Sequence, residues 1–136
     1  KLGFIIETPG FLMNYSGYKN LKYLASIKKE IDDIAIKEAM ELVGLDPEDK
    51  KHVGKYSLGM RQRLGIAQAI MEPDILILDE PMNGLDKSGV EEMRKLFLKI
   101  QSEGKLILLT SHNKEDTDVL CDEVYEMDMG NLMRIR

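Results

Sequence analysis

Residues 75–78 read Ile-Leu-Ile-Leu and run straight into Asp79 and Glu80, with Pro81 next. A short, unbroken apolar run bounded by turn residues is the pattern of a strand buried on both faces. Such strands belong to parallel sheets covered by helices. In open sheets of that kind, ligands gather beyond the carboxyl ends of the strands, which is where Asp79 and Glu80 fall. Adjacent side chains on an extended backbone point in different directions. One acid can therefore hold a hard cation such as Mg²⁺ while the other addresses a water. Taken alone, the pair reads equally well as two solvated acids at a strand end.

The rest of the chain supplies the helices that such a sheet needs. Residues 2–6 form a short strand, ended by Glu7-Thr8-Pro9-Gly10 because proline cannot continue a ladder. The spacing of Leu21, Leu24 and Ile27 predicts a helix over residues 17–27, with Ser16 as its N-cap. A second helix starts after Asp32 or Asp33 and runs to Val43, with Ile36, Ala39, Met40 and Val43 along one face and Gly44 just past its end. Residues 46–56 are polar, contain Pro47 and Gly54, and read as a loop with one short turn. A third helix spans residues 58–71 and stops near Pro73. Beyond the 75–78 strand, a helix over residues 87–103 places Met93, Leu96, Phe97 and Ile100 on one face. A strand at 106–110, a short helix at 114–121, and strands at 124–127 and 132–135 around Asp128-Met129-Gly130-Asn131 complete the pattern. Alternating strands and helices imply a parallel sheet with helices on its faces.

Composition narrows the function classes. The chain has 136 residues, 43% of them hydrophobic, enough for the core of one domain or a large piece of one. A net charge of −5, with Lys28-Lys29 and Lys50-Lys51 diluted by acids, argues against nucleic acid as a partner. One cysteine, Cys121, builds no disulfide framework and fits a reducing compartment. No apolar run approaches the roughly 18 residues of a membrane helix, and no secretory signal opens the chain. It begins at Lys1, directly in strand-like residues, and is expected to be a piece of something longer.

Two further stretches carry chemistry. Tyr56-Ser57-Leu58-Gly59-Met60-Arg61-Gln62-Arg63 leads into the third helix. Ser57 suits an N-cap, Gly59 lets a ligand approach the backbone, and the helix end offers free N–H groups and a positive dipole to an anion. An ordinary capped helix reads the same way. His112 follows the 106–110 strand and so lies on the same rim as Asp79 and Glu80, where it can contact a phosphate or orient a water. His52 sits in a charged loop and is assigned no role.

In order, these are a strand ending in Glu7-Thr8-Pro9, Ser57 to Met60 opening a helix, the 75–80 strand with its acids, Asn83-Gly84-Leu85-Asp86, and Ser111-His112. This series resembles the ATP-binding cassette (ABC) family, the nucleotide-binding subunits of membrane transporters, over nearly the whole chain. The wording YSLGMRQRLGIAQAI together with IIETPGF is most similar to the bacitracin-resistance and multidrug-export type. The resemblance implies an α/β fold: a P-loop NTPase core, truncated here, with a parallel sheet and flanking helices, plus an ABC-type α-helical subdomain. It divides the chain into residues 1–11 (core strand and Q-loop), 12–72 (helical signature subdomain) and 73–136 (Walker B, D-loop and H-loop part of the core).

The resemblance also implies roles. Asp79 looks like the Walker B aspartate that holds Mg²⁺ through water, and Glu80 like the catalytic base. His112 looks like the switch histidine on the γ-phosphate of ATP. Ser57, Leu58, Gly59 and Met60 stand in the signature motif that covers nucleotide, and Asp86 closes the D-loop. Glu7 takes the place of the Q-loop glutamine, where a carboxylate can reach Mg²⁺ or water. Leu58 and Met60 replace a glycine and a glutamine of the family pattern, so backbone contacts survive and a glutamine side-chain contact does not.

No GxxxxGK[ST] occurs in these residues. The Walker A loop supplies the backbone cradle, the lysine and the Mg²⁺ hydroxyl for the phosphates. The expectation is a C-terminal part of a cassette subunit that is inactive by itself, with an interval in the sheet between residues 106–110 and 124–127. The resemblance implies a parent that couples ATP hydrolysis to export or to drug or peptide resistance. Its partners would be a transmembrane permease subunit and a second nucleotide-binding subunit packed head to tail. Its place would be cytoplasmic, peripheral on the inner face of the cell membrane. A soluble, non-transport ABC ATPase and a non-catalytic interaction module remain the alternatives.

Overall fold

The computed structural model describes residues 2–5, 11–27, 31–71, 75–111, 125–128 and 131–134. Strand β2 (Ile75–Asp79) runs between β1 (Leu2–Ile5) and β3 (Leu106–Thr110) in one parallel sheet of order β1-β2-β3. The register pairs Leu2 with Ile75 and Ile5 with Leu78 on one side, and Ile75 with Leu106 and Asp79 with Thr110 on the other. Parallel, in-register pairing brings the carboxyl ends of all three strands to one rim. Strands β4 (Tyr125–Asp128) and β5 (Asn131–Arg134) form a separate antiparallel pair. Its ladder reaches Asp128 and Asn131, one residue nearer the turn on each side than the sequence predicts, because hairpins favour two-residue connections. Among the described residues β3 and β4 do not pair.

The helices form where local chemistry starts and stops them. Helix α1 (Gly17–Ile27) begins where the Ser16 hydroxyl accepts from Lys19 N at 3.2 Å. Helix α2 (Asp33–Leu42) is capped by Asp32, whose carboxylate accepts from Ala35 N at 2.8 Å. It ends in a Schellman closure: Gly44, at φ 83°, donates to Glu41 O at 3.0 Å, and Leu45 donates to Met40 O at 2.9 Å. The polar loop contains one 3-10 turn, Val53–Lys55. Helix α3 (Leu58–Ile70) packs on α2 and also on β1 and β2, while α4 (Lys87–Ser102) packs on β3.

One hydrophobic cluster joins these parts, from Leu21 and Met40 through Leu64 and Ile66 to Leu76, Leu78 and Phe97. The face predicted for α4 is the buried one: Met93, Leu96, Phe97 and Ile100. In α1 the buried stripe differs from the prediction. It runs through Gly17, Asn20, Leu21 and Ala25, while Leu24 is half-buried and Ile27 is exposed. The cause is polar. Asn20 turns inward because it has a loop to hold: its Nδ2 donates to the carbonyls of Leu12 (3.0 Å) and Ser16 (2.9 Å), and its Oδ1 accepts from Leu12 N at 2.7 Å. That loop in turn accepts Val53 N at Tyr15 O and Gly54 N at Met13 O, both at 2.9 Å, so residues 12–16 lie against the 3-10 turn.

Helix α3 is also pinned from the side. The Arg63 guanidinium donates to Val43 O at 2.7 Å and pairs with Glu92 at 3.0 Å, joining α2, α3 and α4. The expected helix at 114–121 lies outside the described residues.

Replacing Asn20 with alanine leaves Leu12 N without its acceptor and removes one of two donors from the carbonyls of Leu12 and Ser16, which keep Tyr15 N and Asn20 N. Asn20→Ala should lower stability by about 1–3 kcal/mol in urea denaturation. A loss under about 0.5 kcal/mol, the range of a featureless surface change, would show that this loop holds itself.

Candidate functional site at the strand rim

Asp79 ends β2, and its register partner is Thr110, which ends β3. The Thr110 hydroxyl donates to Asp79 Oδ1. The chain then bends sharply. Glu80 has φ 46°, the left-handed region that a residue with a Cβ enters at a cost of about 1–2 kcal/mol. The bend is held at both ends. Glu80 N donates to Thr110 O at 3.0 Å and to Thr110 Oγ1 at 3.1 Å. Its carbonyl accepts from Gln62 Nε2 at 3.2 Å, and the same amide donates to Pro81 O at 2.9 Å. Gln62 is 3% exposed. Both acids are half-buried at the rim.

The turn that follows brings in the second motif. Glu80 O also accepts from Asn83 N at 3.1 Å, and Met82 O accepts from Leu85 N at 3.1 Å. Gly84 sits at φ 81° against the start of α3, where an added Cβ would lie 2.6 Å from Leu58 Cγ. Gly59 faces the same turn, and a Cβ there would lie 3.1 Å from Gly84 O. The helix end and the turn therefore interlock. Leu58 nevertheless keeps 59% of its surface exposed. Ser57 caps α3 by accepting from Met60 N at 3.1 Å, which occupies one of the first-turn N–H groups that a helix leaves without internal partners. Met60 is half-buried against the core. Just before the cap, burial pushes the Tyr56 phenol above its ordinary pKa, partly offset by a hydrogen bond from the Gly17 backbone.

Asp79 and Glu80 thus share a rim with the turn over residues 83–86, and that turn touches Leu58 and Gly59. Asp86 is exposed and caps α4, its Oδ1 accepting from Gly89 N at 2.7 Å. One of its oxygens is therefore engaged in the fold. Glu7 and His112 lie outside the described residues. Two residues that shape the rim were missed in the sequence. Thr110 read only as a strand end. Gln62 had a signal: it lies on the stripe of Ile66 and Ile70, at spacings of four and eight, where a polar residue must find partners. Among the described residues no group of three or more His, Cys, Asp or Glu forms a metal cage, and no helix is long and apolar enough to cross a membrane.

Residues 1–83 match the ABC transporter family. The chain belongs to the ABC transporter family. It is 46% identical over 135 residues to the bacitracin transport ATP-binding protein BcrA of Enterococcus faecalis, covering 98% of this chain and 44% of that protein. It is 41% identical over 123 residues to the lantibiotic transport ATP-binding protein SrtF of Streptococcus pyogenes, covering 90% of this chain and 53% of that protein. The chain spans about half the length of these curated relatives. A solved dimeric ATP-binding cassette in a post-hydrolysis state, bound to ADP and Pi, superposes with a TM-score of 0.86 at 18% identity, covering 100% of this chain and 63% of that one. An inward-facing metal-chelate-type ABC transporter gives a TM-score of 0.81 at 21% identity, covering 98% of this chain and 57% of that one. The fold is that of an ABC ATPase cassette.

The close approach of Leu58 to Gly84 makes the two a testable pair. Gly84→Ala should cost about 1–3 kcal/mol, from the left-handed φ plus the displaced leucine. Repeating it in a Leu58→Ala background should remove the steric part and leave the backbone part. Equal losses in the two backgrounds, measured as a double-mutant cycle by denaturation, would show that the side chains do not couple.

Proposed function

We propose that this chain supplies the hydrolytic and signature parts of an ATP-hydrolysing subunit of an ABC transporter. The observation that carries the reading is the joining of two acids at the end of β2 to the helix end at Ser57 through one turn. The names of the relatives, bacitracin and lantibiotic transport proteins, support transport over a soluble, non-transport role.

Glu80 is the base in this reading. Its carboxylate takes the proton of a water as that water attacks the γ-phosphorus and the bond to the β,γ-bridging oxygen breaks, releasing ADP and phosphate, a role that contributes roughly 10²–10⁴-fold. His112 contacts the γ-phosphate and steadies it in line. The site also suits Mg²⁺, which binds through one or two carboxylates plus waters and phosphate oxygens rather than through a full protein cage. Asp79 is suitably placed at the rim, with one carboxylate oxygen engaged by Thr110, and Glu7 is the second candidate ligand. Bound there, Mg²⁺ would neutralise charge on the phosphates.

The helix end over residues 57–60 acts in trans. It covers ATP held by a second nucleotide-binding subunit packed head to tail, with first-turn N–H groups and the helix dipole facing the phosphates. Asp86 and its turn lie against that interface. Closure of the pair completes the charge-stabilising shell, which couples hydrolysis to opening and closing. No GxxxxGK[ST] lies within residues 1–136, so the proposal is made for the whole protein, and these residues alone would not turn over ATP.

The working division is residues 1–11 as core strand and Q-loop, 12–72 as helical arm and 73–136 as catalytic core. Helix α3 carries the arm's tip while packing on the strands. Leu12, Met13 and Tyr15 are exposed on the loop that joins β1 to the arm, which suits contact with a transmembrane permease. The subunit would then sit on the cytoplasmic face of the membrane. Transport of a peptide antibiotic is the substrate class favoured by the relatives.

Two substitutions in the full-length protein test the reading. Glu80→Gln should keep ATP binding, lower turnover by roughly 10²-fold or more and hold the dimer closed in size-exclusion chromatography. An unchanged rate removes Glu80 as base. Ser57→Arg should stop turnover while ATP affinity of the same chain stays within about twofold, which is under 0.5 kcal/mol. Loss of that affinity would mean that the helix end serves its own chain's nucleotide.

A further inference from the structure

We propose that Gln62 is a positioning residue for hydrolysis: it reaches from α3 to the Glu80 and Pro81 carbonyls and so aims the Glu80 carboxylate. The inference rests on the reading of Glu80 as base.

The argument starts from an unfavourable backbone. Glu80 has a Cβ, yet it is held at φ 46°. Its N–H is fixed by both oxygens of Thr110. Given that anchor, relaxation to an ordinary negative φ is a rotation of roughly 100° about N–Cα. That rotation would carry the carboxylate away from the rim position it now occupies. The opposing hold is on the carbonyl side, where Gln62 Nε2 grips two consecutive carbonyls at 3.2 and 2.9 Å. Asn83 N also reaches Glu80 O, but it belongs to the same turn and moves with it. Gln62 is the grip that comes from another element.

Its placement supports this. Gln62 is 3% exposed and shares a helix stripe with Ile66 and Ile70. A polar amide on that stripe serves a purpose that an aliphatic side chain there could not. The same helix begins at Ser57, so the element that caps nucleotide in a second subunit also holds the base in its own. A displacement of α3 would then reach the Glu80 backbone directly, through one side chain.

The test uses the full-length protein and Gln62→Met, which keeps length and apolar volume but cannot donate. The expected result is a folded protein with ATP Kd within about twofold of wild type and kcat lower by roughly 10²-fold, the scale of a misplaced catalytic group. Placed on Glu80→Gln, the same substitution should cause no further loss of the residual rate, a readout that a purely structural role would not produce. A kcat within twofold of wild type, or kcat and Kd weakening in parallel, overturns the proposal. Gln62→Glu keeps the shape and loses the amide protons, and it gives the same reading should the methionine variant fail to fold. Failure of both to fold makes Gln62 a folding residue and also overturns it. A Glu80→Gln protein with normal turnover would instead defeat the assignment of the base, whatever Gln62 does.

Discussion

Everything at the rim follows from β2 being paired on both sides, in parallel and in register. Because Ile5, Leu78 and Leu109 end up level, the carboxyl ends of the three strands share one rim. Asp79 and Thr110 meet there as direct partners. Burial of Leu76 and Leu78 under the helices fixes the sheet against the core. Each fully buried leucine contributes about 1.5–3 kcal/mol, so the platform under the acids is far stiffer than the acids' own contacts could make it.

Helix α3 converts that platform into a device. Among the described residues it is the one helix that packs both on α2 and on two strands of the sheet. Its first turn meets the turn over residues 83–86, its next residues grip the bend after β2, and Arg63 ties it to α2 and α4. The proposed boundary between arm and core falls at the end of α3. Mechanically, the helix belongs to both sides. Motion of the arm that rotates α3 must either break these polar contacts or carry the bend with it.

Local chemistry was legible in the sequence wherever it depends on neighbours. The apolar run before Asp79, the caps at Ser16 and Ser57, the closure at Gly44 and the face of α4 all follow from residues within a turn or two of one another. The family, too, could be read from Ser57 to Met60, the acid pair and their order. What could not be read is long-range polarity. Asn20 reaches back eight residues, Gln62 reaches forward eighteen, and Arg63 spans twenty-nine to Glu92. No spacing rule announces such partners. Ile27 was misplaced for the same reason: once Asn20 turns inward, the buried stripe of α1 rotates with it. Asp86 shows the converse. Its motif suggested a contact across a dimer, and three residues on lay an equally local use as the cap of α4.

The contact between Thr110 and Asp79 has a consequence for how the sheet assembles. Residues 106–109 are Leu-Ile-Leu-Leu, apolar on both faces, with Leu106 and Leu108 half exposed. A slip of one position would exchange one set of aliphatic side chains for another and change buried oil very little. Hydrophobicity therefore does not distinguish the correct alignment of β3 from its neighbour. The hydroxyl does, because only one alignment sets Thr110 opposite Asp79 and beneath the Glu80 amide. The same few atoms that shape the rim act as the checkpoint that tells a properly threaded sheet from a misaligned one.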